Sequence, residues 1–402
     1  MSLPAHRSVP DVPEAEIVEL LSALVRIPSR AGEDAMEPIV TAMAAWYARQ
    51  GLAVERLQDE AGRPLGLYAE LEGLAAPSGP QRPWVVLNAT LDTAGFGEPG
   101  TWRHAPTSAV VEDGRLYGRG SADSKAGAAL FCHLLRHFSR RRERFAGRLG
   151  LLLDLDEHSG GFGGARRFFD APARRPDGVL IGYPGCERIV VGARGFLRAR
   201  VTVAGIAAHS GGSSQRGVNA VVRAARLVGE LEALELARDS ADTGFPRPAQ
   251  LTVTALHGGS GFTQVPDRCE LSLDVRLTPA LDAEAARRAI EAVLRRHDAA
   301  WAAPASSVAW LPGWPAYRLP DAQPLVAALR DSGRAVLGRE LPTAVAGPSN
   351  IGNYLAALGV PALCGFGVEG QNLHAADESV GLASIAPVFR IYAGALRRLL
   401  AG

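Results

Sequence analysis

Gly118-Arg119-Gly120-Ser121-Ala122-Asp123-Ser124-Lys125-Ala126-Gly127 sets an acid and a lysine among glycines, immediately ahead of a long apolar run. From Ala126 to Phe138, residues Leu130, Phe131 and Leu134 recur at helical spacing, so Asp123 falls in the loop that enters a helix. An entry loop of this kind presents side chains at the edge of a sheet, which reads as a site and not as a simple turn. Lys125 is an independent sign, since every other basic residue of the Lys+Arg set is arginine.

Working outward, three short apolar runs end in polar groups. Trp84-Val85-Val86-Leu87 leads to Asn88-Ala89-Thr90-Leu91-Asp92, Leu149 to Leu155 leads to Asp156-Glu157-His158, and Val179-Leu180-Ile181 leads to Gly182-Tyr183-Pro184. Continuous apolar runs are the pattern of strands buried on both faces. Ligands of open α/β sheets bind at the carboxyl ends of such strands.

From about Val191 the pattern changes. Phe196 to Val203, Leu251 to Leu256 and Cys269 to Leu277 alternate, while Val218 to Leu236 and Ala283 to Arg296 are helical. That order predicts a small α+β, ferredoxin-like domain with one open sheet face. After a Trp- and Pro-rich link, Trp301 to Pro315, the first pattern resumes. The expected fold is therefore an α/β catalytic domain with a mostly parallel mixed sheet flanked by helices, interrupted by an inserted α+β domain. Residues 1–190 and 301–402 would form the two parts of the first domain, and 191–300 the insertion.

The 402 residues suffice for two domains and a large core, and a hydrophobic content of 47% with a charged content of 21% describes a globular chain. A formal net charge of +1 supplies no electrostatic reason to expect nucleic acid or an anionic membrane as partner. Met1 to Pro13 is polar with no apolar run, and no later stretch reaches the length of a membrane span, so the expectation is a cytoplasmic protein. Cys132, Cys186, Cys269 and Cys364 lie far apart, which argues against a thiolate zinc knuckle and for isolated thiols.

Taken together, the motifs resemble the co-catalytic zinc hydrolases that include aminoacylase, acetylornithine deacetylase, succinyl-diaminopimelate desuccinylase, carnosinase and the glutamate-releasing carboxypeptidases. The resemblance rests on Asp113-Gly114-Arg115-Leu116-Tyr117-Gly118-Arg119-Gly120 followed by Asp123 and Lys125, then on Asp156-Glu157 and on Ala208-His209-Ser210 with Gly217-Val218-Asn219-Ala220. Asp274-Val275-Arg276-Leu277-Thr278-Pro279 and His374 with Glu378 complete it. It spans nearly the whole chain and implies a lid domain that dimerises.

The departures from that family carry information. Its two zinc ions share an aspartate, which matches Asp123. One ion is also held by a histidine and an acid at positions that here read Thr90 and Tyr183, neither a usual zinc ligand. The other is held at positions that here read His158 and His374, and imidazole is a good ligand. The resemblance thus implies a single-metal site of Asp123, His158 and His374, with a fourth position left for water. Zinc is the expected ion, about one per chain, with manganese or cobalt also compatible with these donors. Asp92 becomes either a group behind the ligands or a rescue ligand for a weak second ion.

By the same resemblance Glu157 is the general base and His209 the lid histidine that stabilises the oxyanion. Arg276 would pair with a substrate carboxylate, Asn219 would touch substrate, and Asn350 with Ser349 would face the pocket as neutral hydrogen-bonding groups. Lys125 has no assigned chemistry, pairing with an acid near the metal being one option. The function implied is a metal-dependent amidohydrolase of deacylase, dipeptidase or carboxypeptidase type, cleaving an amide of a small carboxylate-bearing substrate as a homodimer. A non-hydrolytic condensation or cyclisation enzyme on the same scaffold, or an inactive binding homologue, are the alternatives.

Overall fold

The structure, a computed structural model, describes residues 11–77, 82–212, 217–238 and 244–401. Residues 1–10 of the polar amino terminus, and the middle of the Pro- and Gly-rich stretch Ala75 to Arg82, lie outside the described residues. The described residues form two compact units, one drawn from Met1–Gly192, Leu319–Ala344 and Asn350–Gly402, the other from Ala193–Arg318 and Val345–Ser349. Among them no helix is long and apolar enough to cross a membrane.

In chain order the principal strands are β1 (Glu55–Gln58), β2 (Pro64–Glu72), β3 (Trp84–Thr90), β4 (Arg148–Asp154), β5 (Gly178–Ile181), β6 (Gly195–Ala204), β7 (Gln250–Gly258), β8 (Arg268–Leu277), β9 (Ser307–Trp310) and β10 (Ala362–Leu363). The helices used below are α1 (Glu14–Val25), α2 (Glu37–Arg49), α3 (Ala126–Ser139), α4 (Gly163–Phe169), α5 (Ala220–Glu232), α6 (Ala283–Ala299), α7 (Pro324–Leu337) and α8 (Ile351–Ala357).

The first unit is built on a mixed sheet of order β1-β2-β4-β3-β5-β10. β4, β3, β5 and β10 run parallel, and β2 pairs antiparallel with β4. Every residue of β3 is buried, as a strand covered on both faces requires. The register sets Thr90 beside Asp154 and Asn88 beside Ile181, so the segments after β3, β4 and β5 leave the sheet at one carboxyl edge. Asp92, Glu157, His158 and Tyr183 all lie there.

The second unit is an antiparallel sheet of order β7-β8-β6-β9. Cys269, Leu271, Leu273, Val275 and Leu277 alternate onto one face of β8 and share a core with Leu227 of α5 and Ile290 of α6, which gives the expected α+β insertion. Its end differs from expectation. The stretch read as a link from Trp301 to Pro315 contains β9, which pairs with β6, and the unit runs to Arg318, past the anticipated boundary at 300. A four-residue strand flanked by Pro and Trp is too short to show its alternation in the sequence.

Candidate metal centre

The loop ahead of α3 is held by a carboxylate distant in sequence. Glu378 accepts hydrogen bonds from Arg119 Nη1 (2.7 Å) and from the backbone N–H groups of Gly120 (3.1 Å), Ala122 (3.0 Å) and Asp123 (2.9 Å). Both members of the Arg119–Glu378 pair are fully buried. Gly120 takes a left-handed φ of 78°, and a Cβ there would strike Thr93. At Gly127 a Cβ would collide with the carbonyl oxygen of Gly182, so the glycine lets the start of α3 seat directly on the end of β5. These constraints bring Asp123 to the carboxyl edge of the sheet.

There Asp123, His158 and His374 each offer a ligand atom, and those atoms lie within 4.8 Å of one another. His374 Nε2 is 3.1 Å from Asp123 Oδ2, and the two imidazole rings are 5.2 Å apart between centroids. Asp123 Oδ1 and His158 Nε2 are buried without a hydrogen-bond partner. Two orphaned acceptor positions beside a third donor are costly unless something satisfies them, and a divalent ion is suited to a carboxylate and two imidazoles. His374 sits in a strained loop, with left-handed φ at Asn372 (55°), His374 (62°) and Asp377 (57°). Asp377 anchors that loop by accepting from the backbone N–H of Arg103 at 2.8 Å. Strain of this kind persists where the surroundings hold a functional side chain in place.

Asp92 stands behind His158. Its Oδ2 is 3.2 Å from His158 Nδ1 and accepts from the His158 backbone N–H at 3.0 Å. Its Oδ1 accepts from the Glu157 N–H at 3.2 Å and from the Thr90 hydroxyl. A proton on Nδ1 directed at Asp92 leaves the Nε2 lone pair facing the cluster, the usual carboxylate–histidine arrangement behind a metal. Both Asp92 oxygens are thereby engaged in hydrogen bonds, those of Oδ2 on His158. Tyr183, at the end of β5, donates its phenol to Glu157 Oε1.

Electrostatics follow from the crowding of carboxylates. Burial pushes Glu157 up to about 7, helped by Asp123 and Asp92 and opposed by His158 and Tyr183. For His158 burial works against the charged ring, but Asp92, Glu157 and Asp123 outweigh it and raise the imidazole to about 9. Burial, with Glu157, Asp123 and Asp154 nearby, pushes the Tyr183 phenol well above its ordinary value, so it stays a donor. A pocket that draws a proton onto His158 so strongly draws a dication for the same reason, and the two compete for Nε2.

One consequence is measurable on the metal-stripped chain. The folded value of His158 lies above its unfolded value of 6.5, so its contribution to stability is complete below about pH 6.5 and lost as pH rises through about 9. The loss amounts to about 3 kcal/mol. Thermal unfolding of the chelator-treated protein at pH 6 and pH 9 should show it, and His158→Gln should reduce that difference.

A sequence model for peptidase family M20/M25/M40 matches residues 86–398. The chain belongs to this family. The M20 assignment agrees with a succinyl-diaminopimelate desuccinylase of Alkalilimnicola ehrlichii, 31% identical over 96% of this chain and all of that one. Among solved structures, an M20 metallo-carboxypeptidase of Sulfolobus solfataricus superposes with a TM-score of 0.79 at 18% identity, covering 96% and 99% of the two chains. A dinuclear metal-binding M20 peptidase of Bacillus subtilis gives 0.68 at 15% identity, covering 96% and 98%. This M20 chain is accordingly a metal-dependent hydrolase of amide bonds, and nothing supports the condensation or inactive-homologue alternatives.

Other residues of this M20 chain are used differently from expectation. Among the described residues, Lys125 makes no hydrogen bond to an acid. Its Nζ donates to the carbonyls of Leu24 (3.0 Å) and Ile27 (2.9 Å), closing the C-terminal end of α1, and burial lowers it to about 7. Asn350 is the N-cap of α8: its Oδ1 accepts from Gly352 N–H at 2.8 Å, its own N–H donates to Asn353 Oδ1 at 2.8 Å, and its Nδ2 contacts Cys364. Ser349 donates to Arg194 O at 2.6 Å. The pair read as pocket-facing is therefore engaged in local structure, because a capping box satisfies backbone that would otherwise be orphaned.

In the second unit Asn219 caps α5, accepting from the N–H groups of Val221 and Val222. Arg276 Nε bonds Asp274 Oδ2 at 2.8 Å, while Arg198 approaches the other oxygen at 3.4 Å. His209 is exposed on a two-residue strand, its Nδ1 accepting from Gly211 N–H at 3.1 Å. The anchoring role of Glu378 was the feature least visible beforehand, its one signal being an acid close to His374 in the motif.

Proposed function

We propose that this M20 hydrolase acts in the cytoplasm with one ion per chain, zinc by preference, held by Asp123, His158 and His374, and with Glu157 as general base. The observation that carries it is the fate of the positions that would serve a second ion. Thr90 and both oxygens of Asp92 are tied into hydrogen bonds, and the Tyr183 phenol is bonded to Glu157, so none of these three positions presents an uncommitted carboxylate or imidazole. Four cysteines that form no disulfide among the described residues suit a reducing compartment.

A bound dication supplies Lewis acidity, bringing the pKa of water down to about 7 and polarising a carbonyl. Glu157 takes the proton of the attacking water and delivers it to the leaving nitrogen. Asp92 holds the His158 ring in one tautomer and orientation. The substrate is a small N-acyl or N-aminoacyl compound bearing a carboxylate, a class to which the desuccinylase relative's name points. His209 is assigned the oxyanion, and Arg276 and Asn219 substrate contacts, in a homodimer formed through the second unit.

Metal analysis of the purified chain, run with turnover of a panel of N-acyl amino acids and dipeptides, tests this reading. About one ion per chain with amide cleavage is expected. His158→Ala should lose the ion and Thr90→Ala should keep it. Two ions per chain in the unaltered protein, or equal loss in the two variants, would remove the single-ion assignment.

A further inference from the structure

A general base must present one particular oxygen to its proton, and a glutamate side chain has enough rotamer freedom to lose that alignment. Glu157 has its backbone fixed from both sides, by its N–H to Asp92 Oδ1 at 3.2 Å and by its carbonyl, which accepts from Gly160 at 2.8 Å. Its carboxylate has one hydrogen-bond donor among the described residues, the phenol of Tyr183 on Oε1. The other oxygen, Oε2, lies 3.5 Å from His158 Nδ1, the ring nitrogen turned toward Asp92.

Tyr183 itself is locked. Gly182 N–H donates to Asn88 O at 2.8 Å, which joins the turn to β3. Gly185 N–H donates to Val368 O at 2.7 Å, and Gly367 N–H returns to Gly185 O at 2.9 Å. A Cβ at Gly367 would collide with the Tyr183 carbonyl oxygen, so the turn is clasped on both sides by backbone. A rigid turn carrying a phenol onto one oxygen of a carboxylate is a device for aiming that carboxylate.

We propose that Tyr183 is the positioning residue of the base, its phenol holding Oε1 so that Oε2 is the oxygen that exchanges the proton. The inference rests on Glu157 being the base of an amide hydrolysis. Tyr183 forms no bond to substrate and gives up no proton in this role.

Tyr183→Phe removes one hydroxyl and keeps the ring. On whichever amide of the panel the unaltered protein cleaves, kcat should fall about 10- to 100-fold, as for a misaligned catalytic group, with KM within about twofold and ion content unchanged. The deciding measurement is a double-mutant cycle: added to Glu157→Gln, the same change should cost less than about twofold, since the base it aims is gone. An equal loss in both backgrounds, or no loss in either, overturns the positioning role while leaving the hydrolase reading intact. An ion-bound unaltered protein inert to every amide overturns that reading and this one with it.

Discussion

Glu157→Gln is expected to lower kcat by about three orders of magnitude, within the range that general acid–base groups contribute, while the ion stays bound. The change is nearly isosteric, and the amide oxygen still accepts the Tyr183 phenol, so the loop after β4 keeps its hydrogen bonds. What disappears is the capacity to take a proton. The proposed ligands Asp123, His158 and His374 are untouched. Steady-state kinetics with metal analysis on the same sample separates the outcomes. A variant that keeps its ion and loses less than about tenfold in kcat would transfer the base role elsewhere.

The second large effect is on stability. Glu378→Ala leaves the guanidinium of Arg119 buried and unpaired and strips the acceptor from three backbone N–H groups. Breaking a buried ion pair from one side costs about 3–5 kcal/mol, because the remaining charge has no water to solvate it. The cation–π contact of Arg119 with Trp102, at 5.1 Å, compensates for little of this. Urea unfolding should show a lower midpoint with the slope preserved. Ion affinity should fall as well, since the Glu378 bond to the Asp123 N–H is part of what holds that ligand in place. Glu378→Gln, which keeps the acceptor oxygen and the shape, should lie between the variant and the parent. An unfolding free energy within about 1 kcal/mol of the parent for Glu378→Ala would show that the loop has another anchor.

The two expected effects belong to one construction. Ligands, base and anchors come from the ends of β3, β4 and β5, from the entry to α3 and from the loop of residues 372–378. Each is placed by backbone that carries its own hydrogen bonds. Tyr183 and Asp92 sit one step behind the reacting groups, and their hydroxyl and carboxylate orient Glu157 and His158.

Read alone, the amino-acid order determined the architecture and which stretches carry polar groups at strand ends, because burial on two faces, one face or a helical stripe leaves periods of none, 2 and 3.6 residues in the apolar pattern. The resemblance to the co-catalytic zinc hydrolases, carried by the motifs, implied Asp123, His158 and His374, which come within 4.8 Å although 35 and 216 positions separate them along the chain. Only the folded chain decided which partner each polar group took. Lys125 went to the helix-end carbonyls of Leu24 and Ile27, Asn350 to the first turn of α8, Asp92 to His158, and Tyr183 to Glu157. Periodicity is a property of one segment and survives in its sequence. A hydrogen bond between loops is set by the register of several strands at once, and no single segment encodes it.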